Sequence, residues 1–176
     1  METSAILTDA FERIREGVRR VTDGLDADAL AYRPDADANS IAWLIWHSTR
    51  IQDDHVSEIA GRDQAWVADG WADRFDLPSD PTDTGYGHSS QQVGAVRPDG
   101  PDLLVAYHEG VAQRTFQYLD TIDAAELDRI IDRRWDPPVS VGVRLVSVIS
   151  DQMQHVGQAA YVRGLLQRLT SSSGSG

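Results

Sequence analysis

The chain has 176 residues, 41% of them hydrophobic, enough for one domain with a substantial core. Its 28 acidic and 16 basic residues give a formal net charge of -12, and so few cations exclude a nucleic-acid backbone as a general partner. There is no cysteine, which rules out disulfides and a protein thiol nucleophile; any thiol in the chemistry arrives as a small molecule, and a metal site must use histidine and carboxylate ligands. The first ten residues lack a basic start followed by an apolar run, and no stretch approaches the ~18–20 apolar residues of a membrane span, so a soluble cytoplasmic protein is expected.

Thr3 to about Gly24 carries Ile6, Leu7, Phe11, Ile14, Val18 and Val21 at helical spacing, an amphipathic first helix. Asp26 to Ala38, rich in Asp, Ala and Pro, reads as a connecting loop with Leu25, Leu30 and Tyr32 as anchors. Asn39 or Ser40 can cap a second helix whose stripe Ile41, Leu44, Ile45, Ser48, Ile51, His55 and Ile59 ends at Gly61. From Arg62 to Gly100 glycines and prolines preclude one long element, and such loops often carry binding walls, here with Trp66, Trp71, Tyr86 and His88 as candidates either for a wall over the site or for satellite packing under the loop. Within it, residues 89–93 fit a single helical turn.

Pro101-Asp102 opens a third amphipathic helix through Leu103, Leu104, Tyr107, Val111, Thr115 and Leu119 to about Thr121. Asp123 to Glu126 reads as a capping box opening a short turn, and the segment with Ile130, Ile131, Trp135 and Val139 reads as extended. A long last helix follows from about Ser140 to Leu169. The domain is taken as residues 1–169, with 170–176 as a flexible tail. Four amphipathic segments, one long excursion between the second and third, and no convincing alternating strands predict an all-α four-helix bundle, a fold that commonly holds metal between facing helices.

The last helix carries the clearest chemical signal. Asp151 and His155 stand four residues apart, so their side chains share a face with Cβ atoms roughly 5–6 Å apart. Taken singly, such a pair is most often a surface ion pair, and a lone helical histidine is most often a hydrogen-bonded, half-buried residue. Here Asp151 and His155 lie on the side of Val148, Ala159 and Val162, which periodicity marks as inward, and an inward carboxylate needs a partner. His47, beside Leu44 and Ile51, supplies the third ligand of a 2-His-1-carboxylate set with positions open for water or substrate. His55 is eight residues from His47, about 12 Å of helical rise, so the two cannot grip one ion; His47 is the choice.

Trp43-Leu-Ile-Trp-His47 after an Asn-Ser start, Phe75-Asp-Leu-Pro78 with Gly85-Tyr-Gly-His88, and Asp151-Gln-Met-Gln-His155-Val-Gly-Gln158 resemble the DinB-like superfamily, particularly its actinobacterial mycothiol-dependent branch. The resemblance spans most of residues 1–169. It implies an up-up-down-down bundle with a long loop between helices 2 and 3, and a divalent metal held by His47, Asp151 and His155. In many members the last pair is two histidines; the thiol-dependent maleylpyruvate isomerase branch is similar to this chain in placing a carboxylate first. The resemblance further implies a homodimer and a metal-bound small thiol such as mycothiol.

The reading that follows is a metal-dependent thiol S-transferase or thiol-dependent isomerase, because a divalent ion lowers the pKa of a coordinated thiol and makes it a strong nucleophile at neutral pH. The ion is expected to be zinc, with nickel, iron and manganese as other candidates. An electrophilic substrate is expected to enter from the Trp66 to His88 side, with Trp66, Tyr86, His88 and Gln158 as candidate cofactor-binding residues. Two other readings use the same ligands: a hydrolase employing metal-bound hydroxide, and a non-catalytic metal-binding bundle. Arg50 and Arg163 are expected in surface ion pairs, with binding of a cofactor carboxylate as the other reading.

Overall fold

The computed structural model describes residues 3–173 of the chain. In chain order the elements are α1 (Thr3–Thr22), α2 (Ala27–Ala31), α3 (Ile41–Ala60), α4 (Ala65–Ala68), α5 (Trp71–Phe75), α6 (Ser90–Ala95), α7 (Pro101–Leu119), α8 (Ala124–Asp128), β1 (Ile130–Asp132), β2 (Val139–Ser140) and α9 (Val141–Ser173). The four long helices α1, α3, α7 and α9 form the predicted all-α bundle, in which α1 and α3 each pack against both α7 and α9. Among the described residues no helix is long and apolar enough to cross a membrane.

The expected stripes build the core: Leu7, Phe11, Ile14, Val18 and Val21 of α1 and Leu104, Tyr107, Val111 and Leu119 of α7 are buried, while Ile6, counted in the first stripe, is largely exposed. α3 differs in kind. Ser40 caps it by accepting from the Trp43 N–H, Gly61 ends it in the left-handed conformation, and between these ends 15 of its 20 residues are buried. A helix buried on so many of its faces has to be enclosed on nearly every side. α7 and α9 cover two flanks of α3, and α2 and α4 add further contacts.

Several local expectations need correction. The 26–38 stretch is more than a loop: Asp26 caps the single turn α2, which buries Leu30 against the core. The 62–100 excursion holds α4, α5 and α6, the last opened by a full Ser89–Gln92 capping box. The box expected at Asp123–Glu126 is half formed, because Asp123 accepts from Glu126 N–H while the Glu126 carboxylate turns to Tyr118 and Arg129. The extended 130–139 segment closes into an antiparallel ribbon. The last helix runs to Ser173, beyond the boundary set at residue 169, and residues 174–176 of the expected tail lie outside the described residues.

Arg50 is buried, contrary to the surface ion pair expected of it. Its guanidinium donates to the carbonyls of Pro81 and Asp83 and to Gln64 Oε1, lies over the Trp66 ring, and stands 3.5 Å from Asp53. Asp53, also buried, accepts from the backbone N–H groups of Ala65 and Trp66 at 2.8 and 2.7 Å and from the Tyr107 hydroxyl at 2.9 Å. Burial, then the Asp53 charge, pushes the Tyr107 phenol well above its ordinary pKa, so it remains a donor. This knot ties the excursion to the middle of α3. Arg163 departs from expectation too: it donates to the carbonyls of Arg20 and Val21 at the end of α1. Deeper in the core, Gln152 of α9 donates to Gln52 of α3, which donates to Thr115 of α7.

Replacing Asp53 by Ala should lower the unfolding free energy by about 3 kcal/mol, because it strands two N–H donors, a phenol and a buried guanidinium together. Urea denaturation of the two proteins measures this, and a loss below about 1 kcal/mol, the range of an exposed pair, would show the knot to be dispensable.

Candidate metal centre

The packing of α3 against α9 brings together one ligand atom each from His47, Asp151 and His155, all within 4.8 Å of one another. The two imidazoles meet edge to face, with ring centroids 4.8 Å apart. His47 is 6% exposed, whereas Asp151 and His155 are partly open, so the cluster faces outward on the α9 side.

Both histidines are oriented through the ring nitrogen turned away from the cluster. His47 Nδ1 donates to the Thr84 carbonyl at 2.5 Å, and this leaves Nε2 unprotonated. His155 Nδ1 donates to Gln158 Oε1 at 3.0 Å, and its Nε2 stands 3.5 Å from Asp151 Oδ1. Such outward hydrogen bonds fix the tautomer and ring angle of metal-ligating histidines.

The loop carrying Thr84 is held from several sides. Asp83 Oδ1 accepts from Gly85 N–H and from His88 Nε2, and His88 Nδ1 accepts from the Trp43 indole. Trp43 stacks on His47 at 4.6 Å, and Trp46 stacks on His88 at 5.6 Å. Gly85 has φ +91°, and a Cβ there would fall 2.9 Å from His47 Nδ1 and 2.9 Å from Trp46, so both backbone and space require glycine.

Whether the three residues suit an ion can be judged from Asp151, whose Oδ2 is buried without a hydrogen-bond partner. An orphaned carboxylate oxygen beside two oriented imidazoles fits a divalent cation, which would satisfy the electron pairs that the protein leaves unused. Burial, followed by the charge of His155 among lesser effects, outweighs the Thr84 bond and lowers the His47 pKa. Burial also acts against protonation of His155, but hydrogen bonds with Asp151 and Gln158 and the Asp151 charge carry its pKa above the ordinary value.

The four residues expected to bind cofactor take different places. Gln158 is at the cluster as the hydrogen-bond partner of His155. His88 lies behind His47 with both ring nitrogens engaged, so it orients the loop and has no free nitrogen for a ligand. Trp66 is 1% exposed among Trp46, Phe75, Tyr107 and Arg50, a core residue where a site wall was expected, because Asp53 anchors its backbone inward. Tyr86 is 91% exposed, between two glycines of positive φ. His55, set aside at the sequence level, pairs with Arg144 and Asp54. The residues that sequence reasoning missed are Trp43, Asp83, Thr84 and Gly85; the Gly-Tyr-Gly spacing was the available signal, whereas a backbone carbonyl leaves none.

An all-α bundle with a histidine from one central helix and an Asp-x-x-x-His pair from another defines a DinB-like protein with a metal-type ligand set. The family model described as mycothiol-S-transferase matches residues 6–168, and the chain belongs to that family. It is also similar to the crystal structure of a conserved protein from Enterococcus faecalis, at 31% identity and a TM-score of 0.85, over 93% of this chain and 96% of that one. Comparison with curated proteins gives no match.

In the metal-free protein, nitrogen-15 NMR should show His47 as the Nδ1–H tautomer at neutral pH. As pH rises His47 should lose its proton at a lower pH, and His155 at a higher pH, than an ordinary histidine. An Nε2–H tautomer at His47, or the opposite order of titration, would contradict the arrangement.

Proposed function

We propose that this chain is a divalent-metal-dependent S-transferase that joins mycothiol to an electrophilic substrate, with zinc as the expected ion. The observation that carries the reading is the cluster of Asp151, with one carboxylate oxygen left orphaned, and two imidazoles oriented from behind, in a chain of the mycothiol-S-transferase family. A divalent ion bound there lowers the pKa of a coordinated thiol and so supplies a thiolate at neutral pH.

The chain's own residues have distinct parts in this. His47 offers Nε2 because the Thr84 carbonyl holds the proton on Nδ1, and the stacked Trp43 ring prevents the imidazole from swinging. Asp151 contributes negative charge, which favours a cation. His155 offers Nε2 once its proton has left, with Gln158 holding Nδ1–H in place. The buried rings of Trp43 and Trp46 exclude water from the inner side, so exchange takes place on the α9 side.

Purified protein should contain bound metal by elemental analysis, and His47→Ala and Asp151→Ala should lose it; unchanged content in both variants would rule out the site. Gly85→Ala, which touches no ion, should weaken metal binding by about 10–100-fold in chelator competition, by displacing the His47 ring. Metal competes with the proton of His155, so as pH is lowered affinity should begin to fall at a higher pH than for an ordinary imidazole site. With metal present, mycothiol should raise the melting temperature in a concentration-dependent way and be required for turnover, whereas turnover with water alone would identify a hydrolase.

A further inference from the structure

Resting on the transferase reading above, we propose that the groove between α9 and the turn before α3 seats the electrophile, and that it selects an uncharged or cationic apolar body over an anion. The groove has a volume of about 620 Å³ and lies between Pro34 to Asn39 on one wall and Gly157 to Leu165 of α9 on the other. That volume is in the range of small-molecule sites.

Position links the groove to the ligand cluster. Gln158, whose amide oxygen holds His155 Nδ1–H, is itself part of the lining, so the groove opens within one helical turn of a candidate ligand. Leu44 in its floor stands one turn before His47 on α3. From Gly157 to Leu165 the helix rises about 12 Å, long enough for a two-ring body whose reactive end lies towards His155.

The lining decides the chemistry. Leu44, Tyr161, Val162 and Leu165 present apolar surface, and among the described residues Asp35 is the one acidic side chain in the lining, which includes no Lys, Arg or His. The neighbouring Arg33 is not part of the lining; its guanidinium is taken up by the carbonyls of Ala36 and Ala38 in the Pro34 to Asn39 wall and of Ser90. An anion placed here would leave water without gaining a cation and would face Asp35, while a neutral apolar group gains by burial. Asn39, Gln158 and the Tyr161 hydroxyl add polar groups to these walls, but apolar surface predominates, so the groove suits the apolar substrate better than a hydroxyl-rich sugar thiol. For an aryl chloride the thiolate sulfur forms a C–S bond as the C–Cl bond breaks; chloride leaves with the bonding pair, and the thiol proton passes to solvent.

The test uses two dyes of one skeleton, neutral N-phenyl-1-naphthylamine and the sulfonate 8-anilinonaphthalene-1-sulfonate, titrated by fluorescence into the full chain with and without metal. The neutral dye should bind about tenfold more tightly, the ratio that a modest charge penalty gives. Leu165→Arg should shift the preference towards the sulfonate, and Leu165→Gln should weaken the neutral dye without helping the anion, with circular-dichroism melts confirming that both variants fold. With mycothiol, kcat/KM should favour 1-chloro-2,4-dinitrobenzene over 4-chloro-3,5-dinitrobenzoate, and Leu165→Arg should move that ratio at least about fivefold towards the carboxylate. Equal binding of the two dyes, or a turnover ratio that ignores Leu165→Arg, would overturn the assignment. The dye titration needs neither metal nor thiol, so a failed groove and a failed metal centre give separate results.

Discussion

The architecture depends on the near-complete burial of α3. Its apolar residues are easily accommodated by four packed helices, but Ser48, Thr49, Arg50, Gln52, Asp53 and Ser57 go inside with them. Each buried polar group has to be partnered or it subtracts from a marginal stability. Ser48 and Thr49 turn back to the Ile45 carbonyl, and Gln52 reaches Thr115. Arg50 and Asp53 have no such local solution, and they draw Gln64, Ala65, Trp66, Pro81 and Asp83 down onto the helix. The fold of the long excursion follows from the demand of these two charges.

The same excursion completes the metal centre. Once Arg50 fixes the carbonyls of Pro81 and Asp83, the next residue, Thr84, presents its own carbonyl to His47, and Gly85 lets the chain pass close against the ring. A residue that looks like a surface cation in the sequence therefore helps to set which nitrogen of a candidate ligand is free. On the α9 side the arrangement is local, since Asp151, His155 and Gln158 are supplied by successive turns of one helix.

This division explains what the sequence made legible. Helical periodicity and cap residues located the four long helices, with Ser40 and Gly61 delimiting α3 closely, and the i, i+4 spacing put Asp151 and His155 on one face. His47 could be named because a histidine within an apolar run is rare enough to notice. Trp66 misled because aromatic residues in a loop signal both binding walls and satellite core, and only the partners of Asp53 decide between them. Short helices such as α4 and α5 carry too few residues for a period to register, and their shape is set by distant side chains.

The buried amide contact between Gln152 and Gln52 has a consequence for the whole assembly. Apolar surfaces of two helices can slide along each other at little cost, whereas a pair of enclosed amides matches at one axial setting only. Gln152 directly follows Asp151, and Gln52 stands five residues after His47. The amides thus act as a detent: a shift of α9 by one turn, about 5.4 Å, would break them and carry the acid and the second imidazole out of reach of the first.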